Sequence, residues 1–74
     1  MNKVYPDSSI LKSYSYDNNT GILEVEFVKG SVYKYFKVPH TLVFAMTTQE
    51  ALGKSIGSYF MKNISKKYEY EKVS

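Results

Sequence analysis

The most regular alternation in the chain is "ILEVEF", residues 22–27, where Leu23, Val25 and Phe27 alternate with Glu24 and Glu26. That period of two is the pattern of a strand with one face buried and one wet. Ahead of it, Asp17-Asn18-Asn19-Thr20-Gly21 reads as a turn, because Asx side chains bond their own backbone and glycine admits positive φ. Ser9–Tyr16, "SILKSYSY", mixes small and aromatic residues as a strand does. Residues 1–8, with Pro6, Asp7 and Ser8, read as a flexible leader to a single domain over 9–73. After Phe27, Val28-Lys29-Gly30 turns the chain into "SVYKYFKV", a third strand.

The length of that second turn decides which way Tyr33 and Tyr35 face, because a one-residue change of register moves every side chain to the other face. A two-residue loop of Lys29-Gly30 sets Val25 opposite Lys34 and Glu24 opposite Tyr35, which puts a lysine on the apolar face. A three-residue loop with Gly30 in the left-handed position instead sets Val25 against Tyr33, Leu23 against Tyr35, Glu24 against Lys34 and Ile22 against Phe36. Matched cross-strand pairs contribute roughly 0.2–1 kcal/mol each, so the second register is the prediction. Tyr33 and Tyr35 then wall the core.

Pro39 suits the first turn of a helix, where its missing N–H costs nothing, and Val38 before it stays extended. Leu42, Val43 and Met46 recur at helical spacing, predicting a helix from about Pro39 to the late forties, and to Leu52 if Thr47-Thr48 does not interrupt it. Gly53 and Gly57 bracket a turn in which Ser55 or Ser58 caps a second helix, Ser58–Lys67, with Phe60 and Ile64 inward and Lys62 and Lys66 outward. The tail "KYEYEKV" alternates Tyr68 and Tyr70 with Glu69 and Glu71, as a short edge strand or an extended arm. The prediction is an α+β fold. A three-stranded antiparallel β-sheet is followed by two helices packed on one face, with a short C-terminal edge strand. Leu23, Val25, Phe27, Tyr33, Tyr35, Leu42, Met46, Phe60 and Ile64 are the expected inward positions.

Length narrows the chemistry. A chain of 74 residues buries only about 60–65% of the surface its unfolded form exposes, which leaves little core to spare. No cysteine and one histidine predict neither disulfide, metal site nor cofactor. The longest apolar run, Leu42–Met46, is far short of the ~20 residues of a membrane span, and the expectation is a soluble, cytoplasmic protein. The formal charge of +3 comes from ten lysines and no arginine. Without arginine's planar fork, specific readout of bases is disfavoured, while contact of lysines with phosphates stays open.

Several of these runs together resemble the KTSC domain family: "SSILKSYSYD", "TGILEVEF", a glycine before "VYKYFKVP", "SIGSYF" followed by "NI", and the closing "KKYEYEKV". The resemblance spans Ser8–Val73, with a few residues more than the family pattern between Phe44 and Gly53. The family is named for an extension at the C-terminus of some lysyl-tRNA synthetases and occurs also as a stand-alone bacterial or phage protein. The resemblance implies a small antiparallel sheet with helices, no assigned activity, and RNA binding as a suggested role.

No nucleophile–base pair, pocketed carboxylate pair or metal-ligand spacing is present in the sequence, so the expectation is that the protein is not an enzyme. His40 reads as an exposed polar residue at a helix start. Glu24 and Glu26 share a strand face like a catalytic pair, but Lys34 opposite explains them structurally. Gly53-x-x-x-Gly57 lacks the flanking residues of a phosphate loop and instead permits a tight turn and close helix approach.

Two kinds of partner fit. For RNA or single-stranded nucleic acid, the candidate residues are Lys34, Lys54, Lys62, Lys66, Lys67, Tyr68 and Tyr70, with Tyr14 and Tyr16 as further exposed rings. Gly30, Tyr33, Tyr35, Pro39, Gly57, Phe60 and Ile64 are read as structural. The lysines are equally a solvated helix face, and Glu24 and Glu26 would repel phosphate from the open sheet face. A protein partner, a second copy of the chain, or a small nucleotide held between subunits are the competing readings.

Overall fold

A computed structural model describes residues 3–74. The elements run β1 (Leu11–Asp17), β2 (Ile22–Phe27), β3 (Val32–Tyr35), α1 (His40–Ala51), α2 (Ile56–Asn63) and β4 (Tyr70–Lys72). The four strands form one antiparallel sheet in the order β1-β2-β3-β4, and the fold is α+β as the alternation predicted. Among the described residues no helix is long and apolar enough to cross a membrane.

The β2–β3 hairpin has the three-residue loop. Val25 pairs with Tyr33, Leu23 with Tyr35 and Glu24 with Lys34. Gly30 sits at φ +106°, a backbone conformation side chains resist, and its N–H donates to Phe27 O at 2.8 Å. Alternation does the rest. Leu23, Val25, Tyr33 and Tyr35 face the helices, while Glu24, Lys34 and, across β4, Glu71 form one row on the other face. Beside that row, Ser13 and Ser15 of β1 face the same way, opposite Glu26 and Glu24, and carry no ring.

Phe60, Leu11, Leu23, Val25, Met46 and Ile64 are wholly buried. Three residues expected inward, Phe27, Tyr33 and Leu42, are half-buried and pack against this core from its margin. The sequence reading missed Leu11, Tyr14, Val38, Val43 and Ile56, which complete the core. Tyr14 and Tyr16, read as exposed rings, are corrected: Tyr14 is buried, and Tyr16 is half-buried with its hydroxyl donating to Val38 O. Both lie on the helix-facing side because β1 bulges between Leu11 and Ser13, which resets its alternation.

Pro39 is the N-cap of α1 rather than its first helical residue, extended at ψ 144°, and its carbonyl accepts from Leu42 and Val43 N–H. Thr47 and Thr48 do not interrupt the helix, and both hydroxyls turn back to donate to Phe44 O at 2.8 Å. The helix closes when Lys54 N–H donates to Gln49 O and Gly53 N–H to Glu50 O, a Schellman motif.

Helix α2 starts two residues before the predicted Ser58, with Ser55 as the cap whose Oγ accepts from Ser58 N–H at 3.1 Å. It ends at Asn63, short of the predicted Lys67. Ile64 and Ser65 N–H both donate to Phe60 O, which opens the last turn, and the chain leaves toward β4. Gly57 does permit a close approach, but of the segment before β1 rather than of α1. A Cβ there would lie 2.9 Å from Ile10 Cβ and Cδ1 and 3.2 Å from Ser8 Oγ.

Residues 1 and 2 of the expected leader lie outside the described residues. Beyond them, Val4 exchanges two backbone hydrogen bonds with Tyr14, Asp7 N–H donates to the Glu50 carboxylate, and Ser8 Oγ accepts from Ile10 and Leu11 N–H.

Candidate functional site

Because Gly30 sets the register and β4 returns beside β3, three tyrosines stand side by side on the helix-facing surface: Tyr33 and Tyr35 from β3, and Tyr70 from β4 opposite Tyr35. Their ring centroids are 5.5 Å (Tyr33–Tyr70), 5.7 Å (Tyr35–Tyr70) and 6.3 Å (Tyr33–Tyr35), the last pair stacked at 27°. Beneath them, Phe60 meets Tyr35 edge-on at 5.2 Å, and Phe27 bridges Phe60 and Tyr33 at 5.8 and 5.6 Å. Such ring pairs contribute about 0.5–1.5 kcal/mol each beyond area burial, so the array is held from below.

Exposure grades across it. Tyr35 is 3% exposed, Tyr33 half-buried and Tyr70 58% exposed. Burial pushes the Tyr35 hydroxyl above its ordinary pKa, a hydrogen bond with Ser65 works against that, and the neighbouring Tyr33 and Tyr70 add to it. The ring is therefore a neutral hydrogen-bonding group at physiological pH.

The graded array is one wall of a groove of about 650 Å³. Ser9, Ile10, Met61 and Ser65 also line it, and Lys29 and Lys66 are its charged lining; no carboxylate lines it. Gly57 is what lets Ile10 come so close to α2. A smaller groove of about 300 Å³ adjoins, lined by Phe36, Lys37, Lys67, Tyr68 and Glu69.

The candidate lysines separate. Lys66 and Tyr70 meet in the larger groove, and Lys67 and Tyr68 in the smaller. Lys54 lies exposed in the α1–α2 turn and Lys62 in the last turn of α2, and neither lines a groove. Lys34 is on the opposite sheet face between Glu24 and Glu71. Sequence reasoning missed Lys29, Phe36 and Lys37. Lys29 carries a signal, since it stands beside the glycine that fixes the hairpin. Lys37 carries none, since its left-handed backbone, φ +55°, is visible only in the folded chain.

An antiparallel sheet covered by two helices, with a tyrosine-lined groove at its β3–β4 edge, defines a small α+β domain. The KTSC domain family model matches residues 7–68, and the chain belongs to that family. It is 44% identical over 71 residues to a lysine–tRNA ligase of Trichormus variabilis, across 93% of this chain but 12% of that protein. The chain thus spans about an eighth of the length of such ligases. An uncharacterized protein of Stutzerimonas stutzeri is similar in size as well, 40% identical over 60 residues, with 81% of this chain and 84% of that protein covered. The crystal structure of a KTSC domain protein from Yersinia pestis matches with a TM-score of 0.78 at 26% identity, covering 99% of this chain and 97% of that one.

Proposed function

We propose that this protein is a non-catalytic, cytoplasmic binding module that takes unpaired bases of RNA or single-stranded DNA into the tyrosine groove. The observation that carries the reading is the pairing of a tyrosine wall, open to solvent at Tyr70, with a charged lining of two lysines and no carboxylate. Bases stack on aromatic faces for about 1–3 kcal/mol each, and flanking lysines take the phosphates. Packing on Phe27 and Phe60 pre-orients the rings, so little ordering remains to be done on binding. The similarity to part of a lysine–tRNA ligase supports an RNA ligand over DNA.

The test is fluorescence anisotropy with labelled RNA and single-stranded DNA pools at low salt. Each phosphate neutralised in a single strand contributes about −0.7 to the log–log salt slope, so two lysines predict a slope of about −1.4 from this groove. Tyr70→Ala should weaken binding by roughly 5- to 150-fold, the equivalent of one lost stacking contact, while the protein stays folded. Undetectable binding at low salt, or binding that Tyr70→Ala leaves unchanged, overturns the reading. A salt-insensitive protein ligand captured in its place would point to the free edge of β4 as a site of strand addition.

A further inference from the structure

We infer that the smaller groove is a second base subsite, so that one strand occupies both grooves around the end of the β3–β4 edge between them. The inference rests on the function proposed above and extends it to residues with no part in the first groove.

The two grooves share a wall built from consecutive residues. Tyr35 lines one and Phe36 the other; Lys66 lines one and Lys67 the other; Tyr70 lines one and Glu69 the other. By strand alternation Phe36 and Glu69 turn away from the face that carries Tyr35 and Tyr70, so the two grooves lie on either side of the β3–β4 edge and one strand would reach both around its end. The Phe36 N–H donates to Glu69 O at 2.9 Å and holds the two segments that carry them together. Each groove contains aromatic rings and two lysines: Lys29 and Lys66 in the first, Lys37 and Lys67 in the second, where Glu69 is the one carboxylate.

Lys37 supplies an independent observation. It holds φ +55°, a region that costs most L-residues energy and that glycine or asparagine would occupy more cheaply. Its side chain is exposed, so packing does not repay that cost. The turn itself is pinned, because Val38 N–H donates to Gly21 O at 2.9 Å and Gly21 leaves 3.4 Å between a notional Cβ and Lys37 Cα. The pinned turn holds the exposed lysine at the groove's margin and offers its ammonium group there. Phosphate between the two subsites is the ligand that uses it.

The test is a length series of labelled, 5′-phosphorylated ribonucleotides, from dimer (two phosphates) to hexamer, against the full chain and its variants. For the unaltered protein, affinity should rise at least tenfold from dimer to hexamer, and the salt slope should steepen from about −1.4 toward about −2.8 as four lysines engage. In Lys37→Ala/Lys67→Ala, dimer affinity should be retained and the length gain lost. Lys37→Gly should raise the melting temperature while weakening hexamer binding, a combination that a purely structural lysine would not produce. If the double variant keeps the full length gain, or Lys37→Gly binds the hexamer unchanged, the second subsite is refuted. In that event dimer binding that depends on Lys29 and Lys66 leaves the first groove standing. Absence of binding at every length would refute both.

Discussion

Replacing Gly57 with alanine places a methyl group where the fold leaves no room. Position 57 is the second residue of α2, and intrinsic helix propensity favours alanine over glycine there by up to about 1 kcal/mol. Against that gain stands overpacking. The new Cβ would lie 2.9 Å from Ile10 Cβ and Cδ1 and 3.2 Å from Ser8 Oγ. Ile10 Cβ cannot swing aside, because the Ile10 backbone is held at both ends: its N–H donates to Ser8 Oγ at 3.0 Å and its carbonyl accepts from Val28 N–H at 2.9 Å. Inserting a methyl group into a packed contact costs about 1–3 kcal/mol, so net destabilisation of about 1–2 kcal/mol is expected. In urea unfolding this appears as a lower midpoint at unchanged m. The cause is isolated by Ile10→Gly, which removes both contacting atoms and should be less damaging beside Gly57→Ala than alone, a coupling that a double-mutant cycle measures. Because Ser9 and Ile10 also wall the larger groove, the same variant should weaken oligonucleotide binding. A Gly57→Ala protein more stable than the original, or additive with Ile10→Gly, would refute the close approach.

The other predictions concern single groups. Tyr35→Ala should cost about 3–5 kcal/mol, measured by denaturant unfolding, since the ring is almost fully buried against Phe60, whereas Tyr70→Ala, which loses two ring contacts at an exposed position, should cost on the order of 1 kcal/mol; equal costs would contradict the graded exposure. Ser55→Ala removes the α2 cap and should lower stability by about 1 kcal/mol, with Ser55→Asp restoring it. Burial, with Glu50 adding to it, pushes the Tyr14 hydroxyl up to about 12. The unfolded chain releases that proton near 10, so between these values the folded state holds more protons and stability falls as pH rises. The stability that Tyr14 lends should be full below pH 10 and decline by on the order of 2 kcal/mol toward pH 12. A difference between the original protein and Tyr14→Phe that stays flat over that window would refute the assignment.

Which parts of this were legible along the chain follows from the range of the interactions involved. The β2–β3 register could be read because Gly30, the Glu24–Lys34 pair and the apolar alternation all lie within a dozen residues and agree. The second helix was overrun because Lys66 and Lys67 continue a helical pattern that Phe60 O breaks by accepting from both Ile64 and Ser65. Lys66 and Tyr70 could be named as candidates from their types, but nothing local joined them to Lys29, some forty residues away in the sequence.

The sequence by itself determined the strands, the helices and the face that Tyr33 and Tyr35 take, since strand alternation and turn chemistry act over a few residues. It also limited the chemistry to lysines and aromatic rings. Tertiary structure alone decided that Tyr70 completes the array, that Gly57 admits Ile10 to the groove lining, and that the lysines divide between two grooves and an opposite face. Each of those outcomes depends on β4 returning to β3 and on the segment before β1 packing against α2. Such long-range contacts are selected by the free energy of the whole packed chain, and no local pattern encodes them.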